Sequence, residues 1–151
     1  MPESIELDPE TCQRLLRADV VGRVAICTAT GPHVVPVNYA VVDEFVVFRT
    51  TPYSVLGSSG RNSLLAFEID HLDHDRQHCW SVVARGRCQW VEDMETIAAW
   101  EATLGPRPWA AGSRHLYLRL PLTDVTGRKL GLHWNPLDEL PVRRAAVTES
   151  P

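Results

Sequence analysis

Residues 33–50 have the sequence HVVPVNYAVV-DE-FVVFRT, and this stretch decides the class of fold. Its two apolar runs are rich in the β-branched and aromatic residues that favour strands, and only Asp43 and Glu44 separate them. So short a connection joins antiparallel neighbours, because parallel strands need a crossover of a dozen residues or more. Pro36 has no N–H to donate, so we expect it at a bulge or at a sheet edge. The stretch therefore predicts an antiparallel hairpin.

Further strand patterns flank this hairpin on both sides. Residues 23–29 form one that ends at the turn residues 30–32, which makes a meander of three strands. Downstream, residues 64–70, 80–91 and 115–120 have strand patterns, the second kinked at Gly86 and the third extending toward Val125. The chain is therefore expected to be mainly β (α+β), a six-stranded antiparallel barrel with accessory helices.

The accessory helices are predicted from their caps. Asp8 followed by Pro9 begins one, Thr51 followed by Pro52 begins a short one that reaches Gly57 or Gly60, and Asp93 begins a third. Ile97, Trp100 and Leu104 recur at helical spacing in the third helix, which closes at residues 105–106, and this spacing places Trp100 in the core.

Composition limits the class of protein. The 151 residues, 44% of them hydrophobic and 23% charged, suit one globular domain, which we expect over residues 1–130 with a loosely packed C-terminal tail over 131–151. A net charge of −4 argues against a nucleic-acid partner. The acidic N-terminus and the strand-sized apolar runs predict neither a signal peptide nor contact with a membrane. Four cysteines without a CxxC pair favour free thiols and a cytoplasmic protein.

Residues 49–54 could bind a phosphate group. The strand that ends at Thr50 brings Arg49, Thr50 and Thr51 to the predicted helix N-terminus, and Ser54 adds a hydroxyl. A guanidinium, hydroxyls and free N–H groups are what an anionic phosphate requires. The alternative is that Thr51 only caps its helix and Arg49 pairs with a surface carboxylate.

The histidine and aspartate residues between 70 and 78 resemble a metal site in composition alone. No helix orders their side chains, so we interpret them as a solvated connection between two strands and predict no metal site.

Several short motifs occur along the chain in a characteristic order: Gly22-Arg23, PVNY over 36–39, FRT over 48–50, FEID over 67–70, WSVV over 80–83, Gly86-Arg87 and VTG over 125–127. Through them, residues 10–130 resemble the pyridoxamine 5′-phosphate oxidase-like split-barrel flavoproteins. The resemblance is to the small single-domain members related to nitroimidazole-resistance reductases.

This resemblance implies a split barrel that forms a homodimer with FMN at the interface, acting as an oxidoreductase on a small-molecule substrate. It further implies that Pro36, Val37 and Asn38 line the isoalloxazine ring. Arg49, Thr50 and Thr51 would approach the phosphate, and Ser54 would lie on the helix turn that faces it. Trp80 and Trp109 either stack on the cofactor across the interface or are core or interface residues. No catalytic residue is assigned, although Tyr39 and Arg85 are candidates for orienting or protonating a substrate.

The chain departs from the family pattern after Ser54. The oxidases that give the family its name carry consecutive basic residues there, whereas this chain has Val55 and Leu56. Arg49 or Arg61 could supply the missing charge. The alternatives are a flavin or haem carrier or sensor without turnover, for which His33 is either the axial ligand or a turn residue, and a reductase that uses the deazaflavin coenzyme.

Overall fold

The computed structural model describes residues 3–103, 108–109 and 112–140. Within these ranges the chain forms antiparallel strands with a few helices. In chain order they are β1 (Ser4–Glu6), α1 (Pro9–Ala18), β2 (Val21–Thr28), β3 (Gly31–Val42), β4 (Phe45–Thr50), α2 (Val55–Ser59), β5 (Leu64–Asp73), β6 (His78–Arg87), β7 (Gln89–Val91), α3 (Met94–Ala102), β8 (Leu116–Pro121), β9 (Val125–Leu130) and a 3-10 helix (Pro136–Glu139).

The strands form one bent sheet in the order β1-β9-β6-β5-β2-β3-β4-β8-β7. The bend lies in β3, which pairs with β2 through residues 31–38 and with β4 through residues 39–42. A Cβ on Gly86 of β6 would lie 3.4 Å from Leu120 of β8, so the two halves of the sheet approach each other there and enclose a barrel. The predicted fold class is confirmed. Pro36 lies where β3 pairs with β2 alone among the described strands, which confirms its place at an edge.

The prediction of six strands is too low. The structure adds β1, whose three residues are too few to show a period, and it divides two predicted strands. A turn at residues 122–124 separates β8 from β9, and Cys88 separates β6 from β7. Both pairs join segments with strand-like composition, so the breaks leave little trace in the sequence.

The predicted connection between the strands over residues 64–70 and 80–91 is also shorter than expected. β5 continues to Asp73, and β6 begins at His78, directly opposite it. The N–H groups of Asp75 and Arg76 donate to Asp73 Oδ1 at 3.0 Å, which closes a tight hairpin. Most of the predicted solvated connection is therefore strand.

Helix α1 closes one end of the barrel. Asp8 caps it by accepting from the N–H of Thr11 at 2.8 Å, as predicted, and the buried Cys12, Leu15 and Leu16 face the core. The hydroxyl of Tyr39, buried inside the barrel, donates to the carbonyl oxygen of Leu16 at 2.6 Å. This hydrogen bond joins the helix to β3.

Removing the Tyr39 hydroxyl tests how α1 packs on β3. We expect Tyr39→Phe to lower the free energy of unfolding by about 1–2 kcal/mol, because the carbonyl of Leu16 loses a buried donor. Tyr53→Phe is the matched control, since Tyr53 is 96% exposed. Urea unfolding checks the difference, and equal midpoints for the two variants would contradict the packing described.

A second, smaller core lies on the outer side of β4 and β8. Val47, Val91, Trp100 and Tyr117 are buried together there, with Ile97 packed against them. Asp93 caps α3 by accepting from the N–H of Thr96 at 3.0 Å. The predicted helix and the core position of Trp100 are confirmed, whereas Leu104 and the predicted closure at residues 105–106 lie outside the described residues.

The chain after β9 remains attached to the barrel as far as it is described. Trp134, Leu137 and Leu140 pack against the barrel core, and the Trp134 ring stacks on His78 with centres 4.3 Å apart. Residues 131–140 are thus more closely packed than the expected tail, and residues 141–151 lie outside the described ranges. Among the described helices, none has the length and apolar character required to cross a membrane.

Candidate functional site

Asn38 and Arg49 lie side by side on the outer surface of the sheet. Their chain neighbours Val37, Tyr39 and Phe48 belong to the barrel core, so both side chains point the other way. The register pairs Tyr39 with Phe48, and one further step places Asn38 opposite Arg49. β4 and β8 then pair Arg49 with Tyr117. The three residues form a row across β3, β4 and β8.

The guanidinium of Arg49 is held in place by two contacts. Its Nε donates to the carbonyl oxygen of Arg114 at 2.9 Å, and its central carbon lies 5.0 Å from the centre of the Tyr117 ring. Among the described residues, its two terminal amino groups have no hydrogen-bond partner and no carboxylate within ion-pair distance. The predicted alternative, in which Arg49 pairs with a surface carboxylate, is therefore not what the described residues show.

Two described residues that precede β8, Trp109 and Arg114, contact this row. The N–H of Trp109 donates to Asn38 Oδ1 at 2.8 Å, and Arg114 accepts from Arg49. Trp109 itself is 73% exposed. Asn38 and Arg49, which lie on either side of the bend in the sheet, thus each form a hydrogen bond to a residue that precedes β8.

The hydroxyls of Thr50 and Ser54 are engaged with each other. Their oxygens lie 2.6 Å apart, and Ser54 Oγ also accepts from the N–H of Gly57 at 3.0 Å and donates to the carbonyl of Thr51 at 2.9 Å. Thr50 is buried and Thr51 is half-buried. These contacts hold the turn between β4 and α2 in shape.

The predicted start of α2 is wrong. The helix begins at Val55 with Ser54 as its cap, three residues later than the Thr51 cap that Pro52 suggests. The Thr51 carbonyl instead accepts from the N–H of Ser54 at 3.2 Å, so residues 51–54 form a turn. With five residues, α2 has only a weak dipole, and the helix end contributes little to holding an anion.

Val55 and Leu56 face the protein interior. Leu56 is buried in the barrel core, and Val55 packs against the same cluster. A basic side chain at position 56 would enter the core, and one at position 55 would replace an apolar contact with it, so the apolar residues there agree with the way this helix packs. Any cation for a phosphate has to come from elsewhere in the fold.

Pro36 and Val37 have opposite surroundings. Pro36 is exposed on the outer surface of β3, on the same side as Asn38. Val37 points into the barrel core, where it is 9% exposed, so only its backbone is available at the surface.

Arg61 is placed apart from Arg49. Its guanidinium lies 4.7 Å from the centre of the Trp90 ring and 3.7 Å from a carboxylate oxygen of Glu92. Trp90 packs against the barrel core, whereas Arg49 lies on the outer surface. The structure therefore brings Pro36, Asn38 and Arg49 to one surface and leaves Arg61 with Glu92.

Trp80 belongs to the barrel core. It is 2% exposed, and its indole Nε1 has no hydrogen-bond partner among the described residues. Both Trp80 and Trp109 were predicted either to stack on a cofactor or to be core or interface residues. Trp80 is buried within its own chain, and Trp109 is exposed to solvent.

A charged cluster next to Pro36 was not foreseen. Arg23, directly across from Pro36, donates to Glu68 Oε2 at 2.9 Å and to Asp70 Oδ1 at 2.6 Å. Burial and the nearby Asp70 carboxylate raise the pKa of Glu68, and Arg23 offsets part of that rise. Both motifs were visible as Gly22-Arg23 and FEID, but their contact depends on the pairing of β2 with β5.

The raised pKa of Glu68 has a consequence for stability. The folded chain binds this proton more tightly than the unfolded chain, so the contribution of Glu68 falls as pH rises from its ordinary value of 4.5 through the raised one. Glu68→Gln removes the titration and keeps an acceptor for Arg23. We expect the variant to gain stability relative to the natural chain as pH rises from 4 to 7, by less than about 1 kcal/mol. Urea unfolding at fixed protein concentration measures it, and a pH-independent difference would refute this.

His33 and His78 are engaged in local contacts. His33 Nε2 lies 2.9 Å from the Thr28 hydroxyl and 3.1 Å from that of Thr30, as suits a turn residue. His78 lies 3.4 Å from Glu139. Over the ranges that the structure describes, no three of the His, Cys, Asp and Glu side chains are grouped as metal ligands.

Comparisons with known proteins identify relatives of this chain. The family model described as pyridoxamine 5′-phosphate oxidase matches residues 8–129. The uncharacterized protein Rv0080 of Mycobacterium tuberculosis is 33% identical over 133 residues, which are 85% of this chain and 86% of that protein. A solved FAD binding protein from Mycobacterium smegmatis is 28% identical with a TM-score of 0.68, over 84% of this chain and 98% of that one. The FAD and heme binding protein of the same organism, 16% identical with a TM-score of 0.65 over 85% and 73% of the two chains, shares the fold.

Proposed function

The chain belongs to the pyridoxamine 5′-phosphate oxidase family, and from that premise we propose that it is a flavin-dependent oxidoreductase. In this proposal two copies of the chain bind the flavin between them, and the substrate is a small molecule. The FAD binding relative from Mycobacterium smegmatis, 28% identical, supports a flavin rather than another cofactor.

The observation that carries the proposal is the position of Arg49. Its guanidinium is fixed by Arg114 and Tyr117 with its terminal amino groups free among the described residues, one row from the exposed Pro36. A fixed cation beside an apolar strand surface fits a ligand with a planar apolar body and an anionic tail. The riboflavin 5′-phosphate portion of FMN and FAD has this form. The residues present therefore fit the group.

Each residue then has a distinct part. Pro36 and Asn38 would face the ring system, together with the backbone at Val37. Arg49 would hold the phosphate, and the turn at Thr50, Thr51 and Ser54 would shape the space around it. Flavin, when bound, supplies hydride and electron transfer, while the protein binds it, orients it and excludes water. In this proposal Arg61 and Trp80 have structural roles.

FMN is the flavin we propose, with FAD as the other source of the same riboflavin phosphate. A deazaflavin coenzyme would need additional cations for its longer anionic tail, and a haem would need a ligand such as His33, which the structure engages with Thr28 and Thr30. The absorption spectrum of the purified protein distinguishes these cofactors, because flavin, deazaflavin and haem absorb in different bands.

Turnover is tested separately from binding. We expect flavin bound to the protein to lose its visible absorbance when NADH or NADPH is added without oxygen, and to regain it when an electron acceptor is supplied. Flavin that binds tightly but is reduced by neither donor would indicate a carrier or sensor, and it would refute the oxidoreductase assignment for these donors.

A further inference from the structure

The side-chain amide of Asn38 is held in one orientation. The main-chain N–H of Trp109 donates to Asn38 Oδ1 at 2.8 Å. A main-chain N–H only donates, so the atom that it meets has to be the amide oxygen, and the amide nitrogen takes the opposite position. Asn38 is half-buried, and its amide nitrogen has no hydrogen-bond partner among the described residues. The amide therefore presents two unused N–H donors at the surface of the sheet.

Arg49, opposite Asn38 in the row, is restricted in a similar way. The main-chain carbonyl of Arg114 accepts from its Nε at 2.9 Å, and its two terminal amino groups have no partner within the described ranges. Main-chain groups of Trp109 and Arg114 thus engage the only acceptor atom of the two side chains and one of their donors. The groups that remain unengaged are all N–H donors. A ligand over this row has to supply acceptor atoms to both residues.

We infer that Asn38 binds the pyrimidine half of the flavin ring system through its amide nitrogen, and that the main-chain N–H of Trp109 positions the amide to do so. The inference rests on the proposed function and deepens it, because it assigns an orientation to the flavin. The pyrimidine half carries the carbonyl oxygens and the nitrogens that accept hydrogen bonds, whereas the dimethylbenzene half carries no acceptor. Only the pyrimidine half can satisfy the donors of Asn38, and the phosphate can satisfy those of Arg49.

Two substitutions separate this role from a purely structural one, in which Asn38 only fastens the chain before β8. Asn38→Asp keeps the shape of the side chain and an oxygen for the N–H of Trp109, but it replaces the free N–H donors with an anionic acceptor. Asn38→Ala removes both the oxygen and the nitrogen. If Asn38 only fastens the chain, the alanine variant should bind flavin less well than the aspartate variant. If its nitrogen binds the ring, the order is reversed.

Flavin titration of the full chain measures this order. We expect Asn38→Asp to raise the dissociation constant of FMN by about 10- to 100-fold, because an acceptor then faces the acceptors of the ring, and Asn38→Ala to raise it by about 3- to 10-fold. Riboflavin should show the same order, because the contact is with the ring and not with the phosphate. Asn135→Asp is the matched control for charge. Asn135 is exposed beyond β9, its Oδ1 accepts from the N–H of Leu137 at 3.0 Å, and the variant should bind FMN as the natural chain does.

Hydrogen exchange of the Trp109 main-chain amide tests the positioning contact without flavin. NMR should show exchange that is equally slow in the natural chain and in Asn38→Asp, since both retain the accepting oxygen. In Asn38→Ala the exchange should be about 5-fold faster or more, because the N–H then has only solvent to donate to.

The outcomes distinguish this inference from the proposed function. If the natural chain binds neither FMN nor FAD, the proposed function is refuted and the inference with it. If the natural chain binds flavin but Asn38→Ala loses as much affinity as Asn38→Asp or more, the inference is overturned and the proposed function stands. Equal exchange of the Trp109 amide in all three chains would also overturn the inference.

Discussion

Gly57→Ala is expected to destabilise the protein by about 3 kcal/mol and to weaken flavin binding as well. A Cβ at this position would lie 2.0 Å from the carbonyl oxygen of Thr51 and 2.9 Å from the Cα of Pro52. Both are backbone atoms, so no side chain can rotate away to make room. The turn that carries Ser54 has to move, and the Thr50–Ser54 hydrogen bond moves with it. Urea unfolding measures the change in stability.

Ser58→Ala is the control for this variant. Ser58 lies next to Gly57 in α2 and is exposed, and its hydroxyl donates to the carbonyls of Ser54 and Val55 in the same turn. It should unfold within about 0.5 kcal/mol of the natural chain. Equal stability of Gly57→Ala and Ser58→Ala would mean that α2 does not pack on Thr51 as described.

Arg49→Ala is expected to weaken the binding of FMN or FAD by about 10- to 100-fold, which is the value of a charge-assisted hydrogen bond to phosphate. The guanidinium lies on the surface, so the thermal midpoint should change little. Fluorescence quenching of the flavin on titration measures the affinity.

Two controls make the Arg49 result specific. Arg61→Ala removes an exposed cation that lies near Trp90 and Glu92, so it should bind flavin nearly as well as the natural chain. Riboflavin, which has no phosphate, should bind the natural chain and Arg49→Ala alike. If Arg61→Ala lost more affinity than Arg49→Ala, the phosphate would have to be placed near Arg61 instead.

The antiparallel hairpin over residues 33–50 was predictable because its information is local. The alternation of apolar residues and the two-residue turn determine both strands, and they also determine the register. Extended by four steps from the turn, that register already sets Asn38 against Arg49. The third member of the row, Tyr117, joins through pairing with a distant strand, which no local pattern records.

The start of α2 was mispredicted for a physical reason. Thr51 followed by Pro52 is a favourable helix N-cap, and so is Ser54, and local propensity does not favour one over the other. In the observed turn Gly57 lies so close to the Thr51 carbonyl, six residues earlier, that a Cβ would not fit, and the two caps alone carry no information on this contact.

The charged cluster of Arg23, Glu68 and Asp70 shows a different limit. Each residue stands in a motif that was noted in the sequence, but the contacts bridge 45 and 47 positions of chain.

The burial of Trp80, by contrast, follows from alternation along β6, since Val82 and Ala84 share its side of the strand. That period was readable in the WSVVAR stretch, and it favours the core over a stacking position.

The most direct test is an equilibrium titration of the purified full chain, freed of any bound cofactor, with FMN and with FAD. We expect saturable quenching of flavin fluorescence by at least one of them, at a single site per chain, with riboflavin bound more weakly because Arg49 holds the phosphate. Quenching that rises without saturation for both nucleotides would contradict the proposed flavin site.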